Sequence, residues 1–393
     1  ILASKFMVEG PIIKDKASFM LSGRRTYIDL VVSPIIGSIN KQDPDITTDP
    51  RYFFYDLNGK VNWRVGERDR VYLSFFNGKD DFGLASTERF GVSKSSIDFG
   101  LDWFNSVAAA RWNHEWTPKL FSNLTVTRSE YTFNTGIEFS ETENTASDST
   151  TQRFNSLYRS GIVDHAVRMD FNYALNNAHY LRFGSNLTLH RFNPGATTFQ
   201  AEFGQEYPGI DTTLGAKQVR SAEQFLYIED EMHLSDRFRA NIGLHGARLQ
   251  VNGASFTSLQ PRVALNYRLR NGGAIKASYA RMNQFVHLLT NEGLALPTDL
   301  WVPATDQVDP QSSQQWAAGW AKTFGGIECS VEGYYKSMDG LLSYREGASF
   351  SNTVNANWED QVTQGIGNAY GFEFLFQKKH GRTTGWIGYT LSW

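Results

Sequence analysis

Val167–Leu175 reads VRMDFNYAL, an unbroken alternation of large apolar residues with polar or small ones. A β-strand turns successive side chains to opposite faces. Val167, Met169, Phe171, Tyr173 and Leu175 therefore share one face, and Arg168, Asp170, Asn172 and Ala174 the other. The pattern recurs outward from this stretch. Leu181, Phe183, Leu187 and Leu189 interleave with Arg182, Asn186, Thr188 and His190. Val263, Leu265, Tyr267 and Leu269 interleave with Arg262, Asn266 and Arg268, and Tyr370, Phe372, Phe374 and Phe376 with Glu373 and Gln377. These segments are strands.

Spacing between the strands alternates between short and long. Tight polar turns fall at Gly10–Lys16, Gly66–Asp69, Thr117–Lys119, Asn176–His179, Ser235–Arg237, Asn271–Gly273, Gly325–Gly326 and His380–Arg382. Between them lie longer polar stretches, read as loops: Ser33–Pro50, Asn77–Ser96, Ser140–Thr151, Asn193–Lys217, Asn283–Gln311 and Glu346–Gly367. The connection at Asn252–Ser255 is short on the long side. Short turns at one end and long loops at the other are the signature of an outer-membrane barrel, with the short set periplasmic and the long set extracellular. The count is about sixteen strands, two either way. Ala17–Val32, Ile97–Trp116 and Leu120–Phe139 each exceed the roughly 9–11 residues of a tilted spanning strand. Trp63, Trp112, Trp116, Trp386 and Tyr389 lie close to turns, where an interfacial aromatic girdle is expected.

Composition fits an all-β, antiparallel transmembrane barrel. Of 393 residues, 41% are hydrophobic and 14% aromatic, and the mean hydropathy of −0.40 looks soluble. A spanning strand shows only alternate residues to lipid, so its average stays modest. No run approaches the roughly 18–20 apolar residues of a spanning helix. A soluble sandwich would have shorter strands and would bury one face dry, where so many charges are costly. The formal net charge of −3 gives no sign of a nucleic-acid partner. One cysteine, Cys329, excludes an internal disulfide, and its phase with Ile327 and Val331 turns it toward lipid. No H-E-x-x-H, G-x-S-x-G or P-loop occurs, so no catalytic residue, metal site or cofactor is expected.

Several stretches resemble one family. Lys14–Leu30 (KDKASFMLSGRRTYIDL) resembles an early barrel hairpin of TonB-dependent outer-membrane receptors, especially those of Bacteroidota-like bacteria. Ile275–Pro310 (IKASYARMNQFVHLLTNEGLALPTDLWVPATDQVDP) is similar to a strand, long loop and return of that group, continuing through QSSQQWAAGW and SVEGYYKSMDGLLSY. Asn368–Trp393 (NAYGFEFLFQKKHGRTTGWIGYTLSW) resembles the next hairpin. The resemblance implies a barrel of about 22 strands closed by an N-terminal plug domain. On that reading residues 1–393 are a partial barrel, incomplete at both ends, without plug or closing strands. It also implies active import of a scarce bulky nutrient, such as an iron-siderophore, a cobalamin-like cofactor or a glycan. Energy would come from the TonB protein and inner-membrane motor proteins, with a surface lipoprotein as a possible further partner. The alternative is a passive outer-membrane porin, with at most about 16–18 strands in the whole protein.

Two sets of residues are singled out. Arg168, Asp170, Arg182, Arg262, Arg268, Glu328, Glu332, Lys336 and Glu373 fall on the polar phase and are expected to line a wet lumen. Phe285, His287, Asp299 and Trp301 in one long stretch, with Phe203 and Tyr207 in another, are candidate ligand contacts. Loops tolerate variation, and an aromatic beside carboxylates can stack on a sugar ring or grip a chelate.

Overall fold

The computed structural model describes residues 2–144, 149–203, 208–215, 218–290, 300–348 and 357–393. The chain begins with β1 (Ala3–Ile13), β2 (Ala17–Thr26), α1 (Ile28–Asn40) and β3 (Ile46–Arg64). Five long strands follow: β4 (Asp69–Phe90), β5 (Ser93–Thr117), β6 (Leu120–Asn144), β7 (Ser149–Ala174) and β8 (His179–Phe203). Next come β9 (Ile210–Gly215), β10 (Val219–His233), β11 (Phe238–Val251), β12 (Ala254–Arg268) and β13 (Ala274–Gln284). A small hairpin of β14 (Val286–Leu289) and β15 (Leu300–Pro303) precedes β16 (Gln311–Phe324), β17 (Ile327–Tyr344), β18 (Val362–Lys378) and β19 (Gly385–Ser392).

Seventeen of these strands form one sheet, close to the expected sixteen, and β14–β15 pair separately. The pairing is antiparallel throughout and mostly between chain neighbours, except that β10 returns to β8 beside the short β9 and β13 pairs β16 across the hairpin. The tight turns stand where the spacing puts them, except that Gly10–Ile13 belongs to β1 and the first turn is only residues 14–16. At the short outer connection Asn252 and Gly253 adopt φ of 45° and 88°, the positive values that a two-residue hairpin turn demands.

Three readings need correction. Ser33–Pro50 is not all loop: α1 runs from Ile28 to Asn40, and the strand expected to reach Val32 ends at Thr26. Ile28, Val31, Ile35 and Ile39 carry a helical period there. Within Asn77–Ser96, Ser140–Thr151 and Asn193–Lys217, residues 77–90, 93–96, 140–144, 149–151, 193–203 and 210–215 are likewise strand rather than loop, since β4 to β9 project far beyond the apolar band. Above that band neither face meets lipid, so alternation fades although backbone pairing continues. Trp386 lies opposite Gln377, which places it on the lumen phase and outside any girdle.

Two faces follow from the register. One carries exposed Leu73, Val126, Val167, Leu189, Leu226, Leu244, Leu265 and Phe376. On β16 this phase runs from Trp316 down to Phe324, the length of roughly 9 residues that a tilted span requires. Its one charge, Lys322, sits near the turn with its ammonium 4.8 Å over the Phe324 ring. An unbroken aromatic row, Tyr279–Trp316–Tyr335–Tyr370–Trp393, crosses five strands at the upper edge with centroid separations of 5.4–6.4 Å. The Tyr279 and Tyr335 hydroxyls donate upward to Gln314 and Asn368. Near the opposite edge, the Trp112 indole donates to Asp69 and the Trp116 indole to Ser122. Aromatic bodies in an apolar band, with polar tips satisfied at its two rims, are what an interfacial girdle requires. Among the described residues, no helix is long and apolar enough to cross a membrane.

Candidate functional site

The hairpin β14–β15 folds inward from its wall. It touches β7 and β8 on one side and β17 on the other. Those strands are far apart in the meander, so the sheet must curl around the hairpin. Phe285, Ala304 and partly buried Trp301 pack with Phe192, Leu249 and Val251 from the inner faces of β8 and β11. Leu289, Leu300 and Val302 pack with Val308, Trp358 and Val362, against Leu342 and Tyr344. The hairpin thus has an apolar anchor on each face.

Where the candidate contacts stand divides them. Phe285 is 3% exposed and His287 fully buried, so both side chains are inside the packing rather than open to a ligand. Neither ring nitrogen of His287 has a hydrogen-bond partner among the described residues, and burial lowers its pKa to about 4. An uncompensated imidazole in a dry site is held neutral because charging it would cost solvation. Trp301 lines a cavity of about 500 Å³ together with Asn105, Tyr131, Asp164, His190 and Leu288. Phe203 is exposed at the far end of β8. Asp299 and Tyr207 lie outside the described residues.

His190 and Asp164 were not evident from the sequence as a pair. His190 Nδ1 lies 2.8 Å from Asp164 Oδ1, and its Nε2 is 3.5 Å from Glu223. The three residues come from β7, β8 and β10, and only cross-strand register joins them. Alternation placed His190 on the polar phase, but pairing with distant positions leaves no periodic signal.

All the expected lumen residues share the face that the hairpin covers. Arg168 donates to both Asp170 oxygens, at 3.0 and 2.8 Å, and Tyr227 donates to Asp170 at 2.6 Å. Arg182 bridges Glu229 and Glu231, each at 3.2 Å. Glu328 pairs with Lys379 at 2.7 Å. Lys336 stands on the same phase, opposite Gln315 and Ala369. Glu332 and Glu373 are directly opposite each other, and Arg262 and Arg268 have no salt bridge among the described residues. Asn62, Asn113 and His245 each hold a buried inward atom with no hydrogen-bond partner. This wall presents unspent polar capacity of both signs.

The comparisons agree on the architecture. The structure resembles the pyoverdine outer membrane receptor FpvA from Pseudomonas aeruginosa PAO1, with TM-score 0.58 and 10% identity over 99% of this chain and 59% of that one. It resembles the ferric-catecholate import receptor Fiu from K12 E. coli, with TM-score 0.58 and 11% identity over 99% and 62%. The RagAB peptide transporter matches with TM-score 0.57 and 10% identity over 99% and 51%. The chain therefore spans little more than half the length of these proteins. No curated protein sequence matches it. The family model described as "TonB dependent receptor-like, beta-barrel" matches residues 36–393. With nearly the whole chain matched and the fold shared, this protein belongs to the TonB-dependent receptor-like β-barrel family.

Proposed function

We propose that this barrel is the wall of an active outer-membrane importer that captures a scarce, bulky nutrient from outside the cell. The observation that carries the reading is the infolded hairpin. Anchored on both faces, it crosses the lumen that a passive pore would keep open. The wall beneath it supports the companion inference of a plug. Opposed Glu332 and Glu373, unpaired Arg262 and Arg268, and the unpartnered atoms of Asn62, Asn113 and His245 suit a polar body seated inside.

In this reading the long-strand rim is extracellular and a ligand reaches the cavity beside Trp301. Work delivered through TonB and the inner-membrane motor proteins displaces the plug and admits the cargo. An iron chelate, a cobalamin-like cofactor or a glycan fragment fits the aromatic and hydrogen-bonding groups of that cavity. Trp301 and Phe203 are the candidate contacts with available surface, and Asp299 and Tyr207 belong to the same proposal. A surface lipoprotein partner remains part of it.

Uptake in cells carrying the full-length receptor tests the reading. Accumulation of the cognate nutrient against its gradient should stop when an uncoupler collapses the proton-motive force or when TonB is deleted. Uptake that continues unchanged under both treatments would establish the passive channel instead.

A further inference from the structure

Above the apolar band, the outer surface carries an arginine pair that the lumen chemistry does not explain. Arg191 of β8 and Arg220 of β10 are directly opposite in register, both exposed and both on the lipid-facing phase. Like charges facing each other across two strands are destabilising. The outward neighbours are Val163, His165, Leu189, Asn193, Gln218 and Ala222, none of them acidic. Among the described residues neither guanidinium has an ion-pair partner, and the acidic groups nearest Arg191 in its outer cavity are Glu130, itself bonded to Arg128, and Asp102.

Further down β10, six residues from Arg220, the lipid-facing wall is indented beside Leu226. Gly246 lies between Leu226 of β10 and Leu259 of β12 in the ladder. A Cβ placed on Gly246 would meet nothing within 4 Å, so the missing side chain leaves a trench. The resulting groove of about 750 Å³ is walled by Leu226, Ile228, Leu244 and Leu259. Arg248 stands at its upper end, the first outward position beyond Gly246, and donates to Ser255 at 3.0 Å. It faces Gln224, four residues along β10 from Arg220, which is about 13 Å of strand rise.

We propose that this surface binds a phosphorylated glycolipid of the outer leaflet, with an acyl chain in the Gly246 trench and phosphate on Arg191, Arg220 and Arg248. Guanidinium forks match phosphate geometry, and the apolar trench continues directly beneath Arg248. The arginines are spread over about 13 Å of strand, a separation that suits the two phosphates of a broad sugar headgroup better than the one of a glycerolipid. The inference rests on the membrane placement in the proposed function, but lipid binding and nutrient uptake are separate measurements.

The test uses the full-length receptor purified in detergent and titrated with diphosphorylated lipid A, with the same lipid stripped of phosphate, and with inorganic phosphate. Diphosphorylated lipid should bind at least ten-fold more tightly than the stripped form. The Arg191→Gln/Arg220→Gln double variant should lose about that factor, and Arg191→Lys/Arg220→Lys should restore part of it. Gly246→Leu, whose Cβ has open space around it and whose side chain occupies the trench, should weaken lipid binding by a similar factor. Heat-modifiable mobility checks that each variant is assembled. Equal affinity for both lipid forms, unchanged affinity in the assembled variants, or full competition by inorganic phosphate would overturn the proposal. Loss of lipid binding with uptake intact supports it, and loss of uptake with lipid binding intact counts against the importer reading alone.

Discussion

Val263, Leu265 and Tyr267 point outward from β12, while Arg262 and Arg268 point into the lumen. That division sets how single substitutions act. Leu265→Arg places a charge in the apolar band and should cost roughly 2–4 kcal/mol near the midplane, less toward either edge. Arg262→Leu removes a hydrated lumen charge and should assemble nearly normally. Heat-modifiable mobility of the full-length protein compares the two, and equal tolerance would refute the assigned faces. His287 gives a second residue-scale expectation. Its pKa is lowered from 6.5 to about 4 by burial, so the unfolded segment binds a proton that the packed hairpin refuses between those values. Hairpin packing should therefore be complete above about pH 6.5 and weaken as pH falls toward 4. Protease protection of the segment across that range measures it, and His287→Leu should remove the pH dependence.

The hairpin β14–β15 shows how one element is held by others. Four residues a side are too few for stability alone. Its position depends on Phe285 and Leu249, 3% and 0% exposed. Phe285→Ala should cost about 3–5 kcal/mol of local packing, enough to release the hairpin while the wall stays intact. Limited proteolysis should then cut the segment in a receptor whose heat-modifiable mobility is unchanged. The long strands make a related point. In β7 the stretch from Val167 to Tyr173 was legible because lipid and water impose opposite chemistry on its faces. Beyond it, Ser149–Arg153 pairs with β6 just as regularly, but both faces are polar and no period remains. α1 was missed for a different reason: Pro34 interrupts its apolar period, so Ile28–Val32 was read as the end of a strand and Ser33 onward as loop.

For the whole molecule, the two ends of the strands should meet different compartments. In a Cys329→Ser background, Val92→Cys at the β4–β5 connection and Asp236→Cys at the β10–β11 turn mark those ends. A membrane-impermeant maleimide on intact cells should label the former and spare the latter. The reverse pattern would invert the proposed orientation. The curl of the sheet gathers Asp164, His190 and Trp301 around one cavity although they come from three separate stretches of chain. It also sets Arg191 beside Arg220 and Gly246 beneath Arg248 on the outside.

Alternation, turn chemistry and the short–long spacing determined the all-β architecture, the two faces and the polar lining by sequence alone. These are local properties, because each residue's face depends only on its parity within its own strand. Register and the curl of the sheet around the hairpin were decided by the tertiary structure, since hydrogen-bonded pairing between strands is a relation between distant residues. That is why Phe285 and His287, read as ligand contacts, turned out to be buried anchors, while Asp164 with His190, and Arg191 with Arg220, emerged only once the strands were set side by side.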